Sequence, residues 1–186
     1  MHELILGGQR SGKSRRAEQG AADWLAASAQ HQAVFIATAQ AGDAEMAGRI
    51  ARHRADRADR LPRLRTVEEP LALGAAITQH SAADTLVVVD CLTLWLTNCL
   101  MPIQAEKMPF LHDSIEFIAL FLEALTAAKG PVLLVSNEIG LGVIPLGAEV
   151  RAFVDALGRL NQDVAQLCTR VTLMAAGLPL RLKGQP

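Results

Sequence analysis

A short apolar run, ELIL (3–6), breaks into GGQRSGKS (7–14), and an alanine-rich, helix-forming stretch follows from Lys13 to about Ala29. A strand that stops in a G-x-x-x-x-G-K-[ST] loop and restarts as a helix has few structural solutions. It predicts a phosphate-binding loop on the edge of an α/β sheet. Gly7 and Gly12 permit backbone angles and close approaches that a side chain would block. The N–H groups of Gly8, Gln9, Arg10 and Ser11 can then turn inward on phosphate oxygens, aided by the dipole of the following helix. Lys13 is placed to reach the β/γ-phosphates and the Ser14 hydroxyl to bind Mg²⁺. Such a loop needs a second magnesium anchor at the end of another apolar strand. TLVVVD (85–90) supplies Asp90 there, and no other acid in the chain closes so apolar a strand. A competing use of Asp90, as N-cap of the next helix, is compatible with the metal role.

The rest of the chain alternates in the same way. Strands are predicted at AVFIAT (33–38), RLRTVEE (63–69), TLVVVD (85–90), PVLLVS (131–136) and, last, RVTLMAA (170–176). Helices are predicted at 43–60, at 70–79 with Pro70 in the first turn, at 91–100, at 110–128 and at 148–168. Several strands are continuous Val/Leu/Ile runs, which argues for a mainly parallel sheet covered by helices on both faces. With 186 residues, no repeat and no linker, the expectation is a single P-loop nucleotide-binding domain over 1–186. The helix 110–128 is apolar nearly all round, which suits either a packed position or a face left for a neighbouring subunit. Cys91, Cys99 and Cys168 lack the spacing of a zinc site or disulfide framework and are expected as buried free thiols. No apolar run approaches the ~20 residues of a membrane span. No signal peptide precedes the first strand, so a cytoplasmic protein is expected.

A formal net charge of −1 argues against a general nucleic-acid binder. Yet seven arginines crowd between Arg49 and Arg65, most of them in DAEMAGRIARHRADRADR (43–60), where Asp43 is a plausible N-cap and Pro62 a stop. At helical spacing Glu45, Arg49, His53 and Arg57 share one face, with Arg52 and Arg60 close by. The bland account is a solvated helix laced by pairs such as Glu45–Arg49 and Asp56–Arg60. Beside a P-loop, a guanidinium cluster is also how proteins grip polyphosphate. An imidazole among cations should have its protonated form disfavoured, which leaves a nitrogen free to attack phosphorus and form a nucleotidyl-histidine. The other histidines lack that setting: His2 is terminal, His31 and His80 lie near helix ends, and His112 heads the apolar helix. A regulatory GTPase would read guanine through N-K-x-D, which is missing, since the asparagines sit in TNCL, SNEIG and LNQD. A simple P-loop small-molecule kinase leaves the arginine helix idle. A nucleotide-dependent interaction protein would use the apolar helix as its docking face.

LGGQRSGKSRRAE, FIATAQ…DAEMAGRIARHRADR, TVEEP, VVVDCLTLWLTN and VLLVSNEIGLGVIP together resemble the bifunctional adenosylcobinamide kinase/adenosylcobinamide-phosphate guanylyltransferase family of cobalamin assembly. SNEIGLGVIP has no generic part in a P-loop, which makes it a specific marker. The resemblance implies two reactions. ATP or GTP first phosphorylates the aminopropanol hydroxyl of adenosylcobinamide. GTP then donates GMP to adenosylcobinamide phosphate through a guanylylated histidine, releasing pyrophosphate. It further implies a three-layer P-loop NTPase fold resembling the RecA type, and a homotrimer. Carried over by position, His53 is the covalent residue, with Arg52 where some members have a second histidine. Arg54, Ala55, Asp56 and Arg57 are GTP contacts, Ala37, Thr38 and Ala39 form a nucleotide-contacting turn, and Glu68 and Asp90 are acidic nucleotide or metal contacts. Arg159 and Asn161, in LGRLNQ, are expected on a helix surface outside the site.

Overall fold

The computed structural model describes residues 1–101 and 111–184, with the side chains of 111–114 left aside; the predicted first residue of the apolar helix, position 110, and the His112 side chain fall outside what is described. The strands are β1 (His2–Gly7), β2 (Gln32–Ala37), β3 (Leu64–Glu68), β4 (Thr85–Asp90), β5 (Val132–Val135), β6 (Arg170–Ala175) and β7 (Leu178–Lys183). The helices are α1 (Lys13–Ala27), α2 (Ala44–Arg60), α3 (Leu73–His80), α4 (Leu92–Leu100), α5 (Leu111–Ala127) and α6 (Ala148–Leu167). All seven strands join one sheet in the order β3-β2-β4-β5-β1-β6-β7, parallel except for β7. β5 therefore separates β1 from β4, and the C-terminal ends of these three strands open on one crevice, where ligands of open α/β sheets bind.

Side chains alternate across the sheet with the period of two expected of strands. Leu4, Leu6, Val87, Val89, Val132 and Leu134 face α3 to α6, packing against Ile77, Trp95, Leu96, Phe121, Leu125 and Leu157. Ile5, Phe35, Leu86, Val88, Leu133 and Val135 face the other way, onto Ala17, Ala21 and Leu25 of α1. Both faces are buried, which is why the central strands read as unbroken apolar runs. α5 puts Phe121 and Leu125 into the core and leaves Ile115 and Leu120 exposed, so it is both packed and partly bare. The three cysteines are free, Cys91 and Cys168 buried and Cys99 half-buried. Burial pushes the Cys91 thiol up to about 11 and those of Cys99 and Cys168 to about 12.

Two elements differ from expectation. α3 begins at Leu73, three residues after Pro70, because the Glu69 carboxylate accepts from the N–H groups of Leu71 and Ala72 at 3.0 and 2.8 Å and holds that segment as a turn. β7 was not expected at all. Pro179 argues against a strand in the sheet interior, but β7 is the edge, where a missing N–H faces no partner. Ala176 (φ 51°) and Gly177 (φ 80°) make the two-residue left-handed turn that joins β6 to β7.

Candidate functional site

The phosphate loop is built as its sequence demands. At Gly7, φ is 151° and a Cβ would stand 2.5 Å from the Met174 carbonyl oxygen and 2.6 Å from Ser11 Oγ. Gly12, at φ 99°, occupies the N-cap of α1, so the helix has no side-chain cap and no acid in its first turn. Its leading N–H groups stay available to an anion. Asp43 of α2, in contrast, caps its helix by accepting from Met46 N at 2.7 Å. Lys13 is buried and curls back over the loop, with Nζ donating to the Gly8 carbonyl at 2.6 Å. Burial lowers its pKa, against the opposing charges of Cys91 and Asp90. Gly8, Gln9 and Arg10 form the exposed rim, while the buried Ser11 Oγ has no partner among the described residues. The β6–β7 turn, invisible to sequence reasoning, props the loop from behind: Gly177 N–H donates to Ser11 O at 3.1 Å.

Asp90 ends β4 with its carboxylate beside the Ser14 hydroxyl. Burial pushes that carboxyl up from the usual range, against Ser14 and the charges of Arg57, Lys13 and His53. The last of these answers a question of placement: the exposed His53 of α2 stands within electrostatic reach of the acid that closes β4. Thr38 lies between the two strands and is fully buried. Its hydroxyl donates to Cys91 O and accepts from Cys91 N, both at 2.8 Å, and its carbonyl accepts from Asn98 Nδ2. In the Ala37–Thr38–Ala39 turn the threonine side chain is thus spent on tying β2 to β4, and only the half-buried Ala37 and Ala39 border the crevice.

The basic helix is seated almost without apolar contact. Arg57 is its one buried residue, with the guanidinium carbon 3.7 Å from the centroid of the Phe35 ring and Nε donating to Thr66 Oγ1 at 3.3 Å. Arg54 pairs with Glu68 at 3.1 Å and Arg60 with Glu18 of α1 at 3.0 Å. The pairs Glu45–Arg49 and Asp56–Arg60 do not occur among the described ion pairs; Arg60 Nε instead donates to the Asp56 carbonyl. Exposed pairs such as Arg54–Glu68 contribute at most about 1 kcal/mol. Arg57 is therefore the main clasp, and the part of the predicted GTP-contact segment left open to solvent is Arg54, Ala55 and Asp56. Arg57→Ala should lower stability by about 2 kcal/mol, the scale of a desolvated cation–π contact, in urea unfolding. Arg57→Lys should restore only part of it, since an ammonium lacks the flat face.

Asn161 corrects the expectation of a helix-surface residue. It lies on the stripe of Leu157, Leu160 and Val164, is buried, and donates from Nδ2 to the Asn137 carbonyl at 3.1 Å while its Oδ1 has no partner among the described residues. Its four-residue spacing from Leu157 was the available signal.

With this geometry, the resemblance can be weighed. The family model described as cobinamide kinase / cobinamide phosphate guanyltransferase matches residues 3–182. The chain is 48% identical over 186 residues to the bifunctional adenosylcobalamin biosynthesis protein CobP of Pseudomonas aeruginosa, covering 100% of this chain and 99% of that one. It is 34% identical over 187 residues to CobU of Salmonella typhimurium, with 97% and 98% covered. The chain belongs to the cobinamide kinase / cobinamide phosphate guanyltransferase family. A solved protein of Pyrococcus horikoshii aligns with 100% of this chain and 87% of its own at a TM-score of 0.52 and 10% identity, which is agreement in fold alone. As in other P-loop folds, a divalent cation in this family member would rest on few protein groups. Among the described residues no three His, Cys, Asp or Glu side chains gather to cage a metal. The Ser14–Asp90 contact fits Mg²⁺, which takes one or two protein oxygens and completes its shell with phosphates and water.

Proposed function

We propose that the chain phosphorylates adenosylcobinamide with ATP or GTP and then attaches GMP to the product through His53. The observation that supports this is that the charge of His53, on α2, reaches Asp90 at the end of β4, the carboxyl that also feels Ser14 and Lys13 at the head of α1. In the first step the aminopropanol hydroxyl oxygen attacks the γ-phosphorus. The bond from γ-phosphorus to its bridging oxygen breaks, the nucleoside diphosphate departs, and the hydroxyl proton passes to solvent. Lys13 and the α1 N–H groups face the charge that develops. Bound Mg²⁺, held by Ser14 and Asp90, would neutralise phosphate charge there.

In the second step an imidazole nitrogen of His53 attacks the α-phosphorus of GTP and pyrophosphate leaves. A phosphate oxygen of adenosylcobinamide phosphate then displaces the imidazole, the P–N bond breaks, and adenosylcobinamide-GDP is released with His53 restored. Arg54, with Arg49 and Arg52 also exposed on α2, supplies positive charge for the triphosphate. The lightly seated helix can shift while the phosphate loop stays fixed. Among the described residues no helix is long and apolar enough to cross a membrane. The proposed enzyme works in the cytoplasm, and the family resemblance favours a homotrimer.

Incubation with GTP labelled at the α-phosphate tests the central step. The protein should keep the label through denaturation and lose it in acid, as a phosphoramidate does, whereas γ-labelled GTP should leave no such adduct. Label that never survives denaturation would leave a kinase alone.

A further inference from the structure

The segment from Ser136 to Gly147 has no part in phosphate binding, yet it begins at the phosphate loop. Ser136 N–H donates to Ile5 O at 3.0 Å and Glu138 N–H donates to Gly7 O at 3.2 Å. The chain therefore leaves the sheet beside the first residue of that loop. It runs outward and returns to α6, and the two enclose an open groove of about 620 Å³. Ile139, Val143 and Ile144 form one wall, and Gly158 and Arg159 the other. Arg151 holds the outer end in shape, its Nη1 donating to the carbonyl oxygens of Pro145 and Leu146.

The segment is apolar and bare: of its groove-lining residues Val143 and Ile144 are 96% and 76% exposed, and Leu141 and Leu146, outside the lining, are 79% and 98% exposed. Contiguous apolar surface of that kind marks a binding face. The volume lies within the roughly 300–1,000 Å³ of small-molecule sites. The nucleotide's place is taken by the N-terminus of α1 and the overhang of α2. What remains to be seated is the acceptor, whose hydroxyl must come to the γ-phosphate. Its body is a broad apolar macrocycle fringed with amides. That chemistry calls for an aliphatic wall with charged and amide side chains at the edge, which Arg159, Asp155 and Gln162 provide on α6.

We propose that the groove between residues 139–145 and α6 seats the corrin ring of the acceptor, an assignment that rests on the function proposed above. A Cβ at Gly158 meets nothing within 4 Å, so a side chain can be planted in the groove without disturbing the fold. Gly158→Trp should weaken adenosylcobinamide binding, measured by equilibrium dialysis of the intact protein, by about tenfold or more. Val143→Asp, at a position 96% exposed, should act in the same direction, and Gly158→Ala should stay within about twofold. Covalent labelling by GTP should be unchanged in all three. Wild-type affinity for the corrinoid in both Gly158→Trp and Val143→Asp would overturn the assignment, as would a change only in molecular mass by light scattering, which would give the groove to a second copy of the chain. Corrinoid binding that the two substitutions abolish, in a protein that never takes the GTP label, would keep the groove and remove the proposed transfer step.

Discussion

His53→Asn should abolish the acid-labile label from α-labelled GTP and lower formation of adenosylcobinamide-GDP by at least about 10³-fold, the scale of losing a covalent nucleophile. Asparagine keeps a polar side chain of similar reach but has no ring nitrogen with a free lone pair. His53 is exposed and its helix is clasped by Arg57, not by the imidazole, so thermal unfolding of the variant should match that of the parent. The proposed mechanism gives phosphoryl transfer to Lys13 and Asp90 and not to His53, so adenosylcobinamide phosphate should accumulate. The decisive readout is the pair of measurements together, by chromatography of the corrinoid products and by retained label. Label that persists in the variant would move the covalent step to another residue.

Lys13→Ala has the opposite signature. The kinase step should fall by about 10²–10³ in kcat, as when one preorganised charge facing the transition state is removed. Lys13 is buried at the head of α1, and its only described hydrogen bond is to the Gly8 carbonyl. Its loss frees one acceptor and leaves the loop otherwise held by the backbone bonds from Ser11 N–H to Gly8 O, Gly177 N–H to Ser11 O and Glu138 N–H to Gly7 O. Folding should therefore survive while activity does not. Asp90→Asn, which keeps shape and removes charge, should shift the Mg²⁺ concentration needed for half-maximal rate upward. A Lys13→Ala enzyme with parental kcat would mean that phosphate is held elsewhere.

The comparison of expectation with structure turns on which signals are local. The P-loop was legible because each of its parts follows from its immediate neighbours: a strand, two glycines, and a helix with no cap of its own. Asp90 was legible because an acid at the end of TLVVVD has one side of the sheet to emerge from. β7 and the Asn161 contact were hidden by rules that hold on average. Proline is excluded from strands only where its N–H would have a partner, and asparagine is surface-seeking only where no buried carbonyl awaits it.

By itself the chain's order of residues determined the alternation of strands and helices, the glycine loop after β1, the acid that closes β4 and the crowding of arginines along the His53 helix, because those depend on near neighbours in the chain. Only the tertiary structure decided that α2 packs on β3, that Arg57 rests on Phe35 in place of solvent, and that residues 139–145 and α6 enclose a groove. Those depend on strand order: β1 and β4 are far apart in the chain and are brought to one crevice by a sheet whose pairing no local pattern encodes.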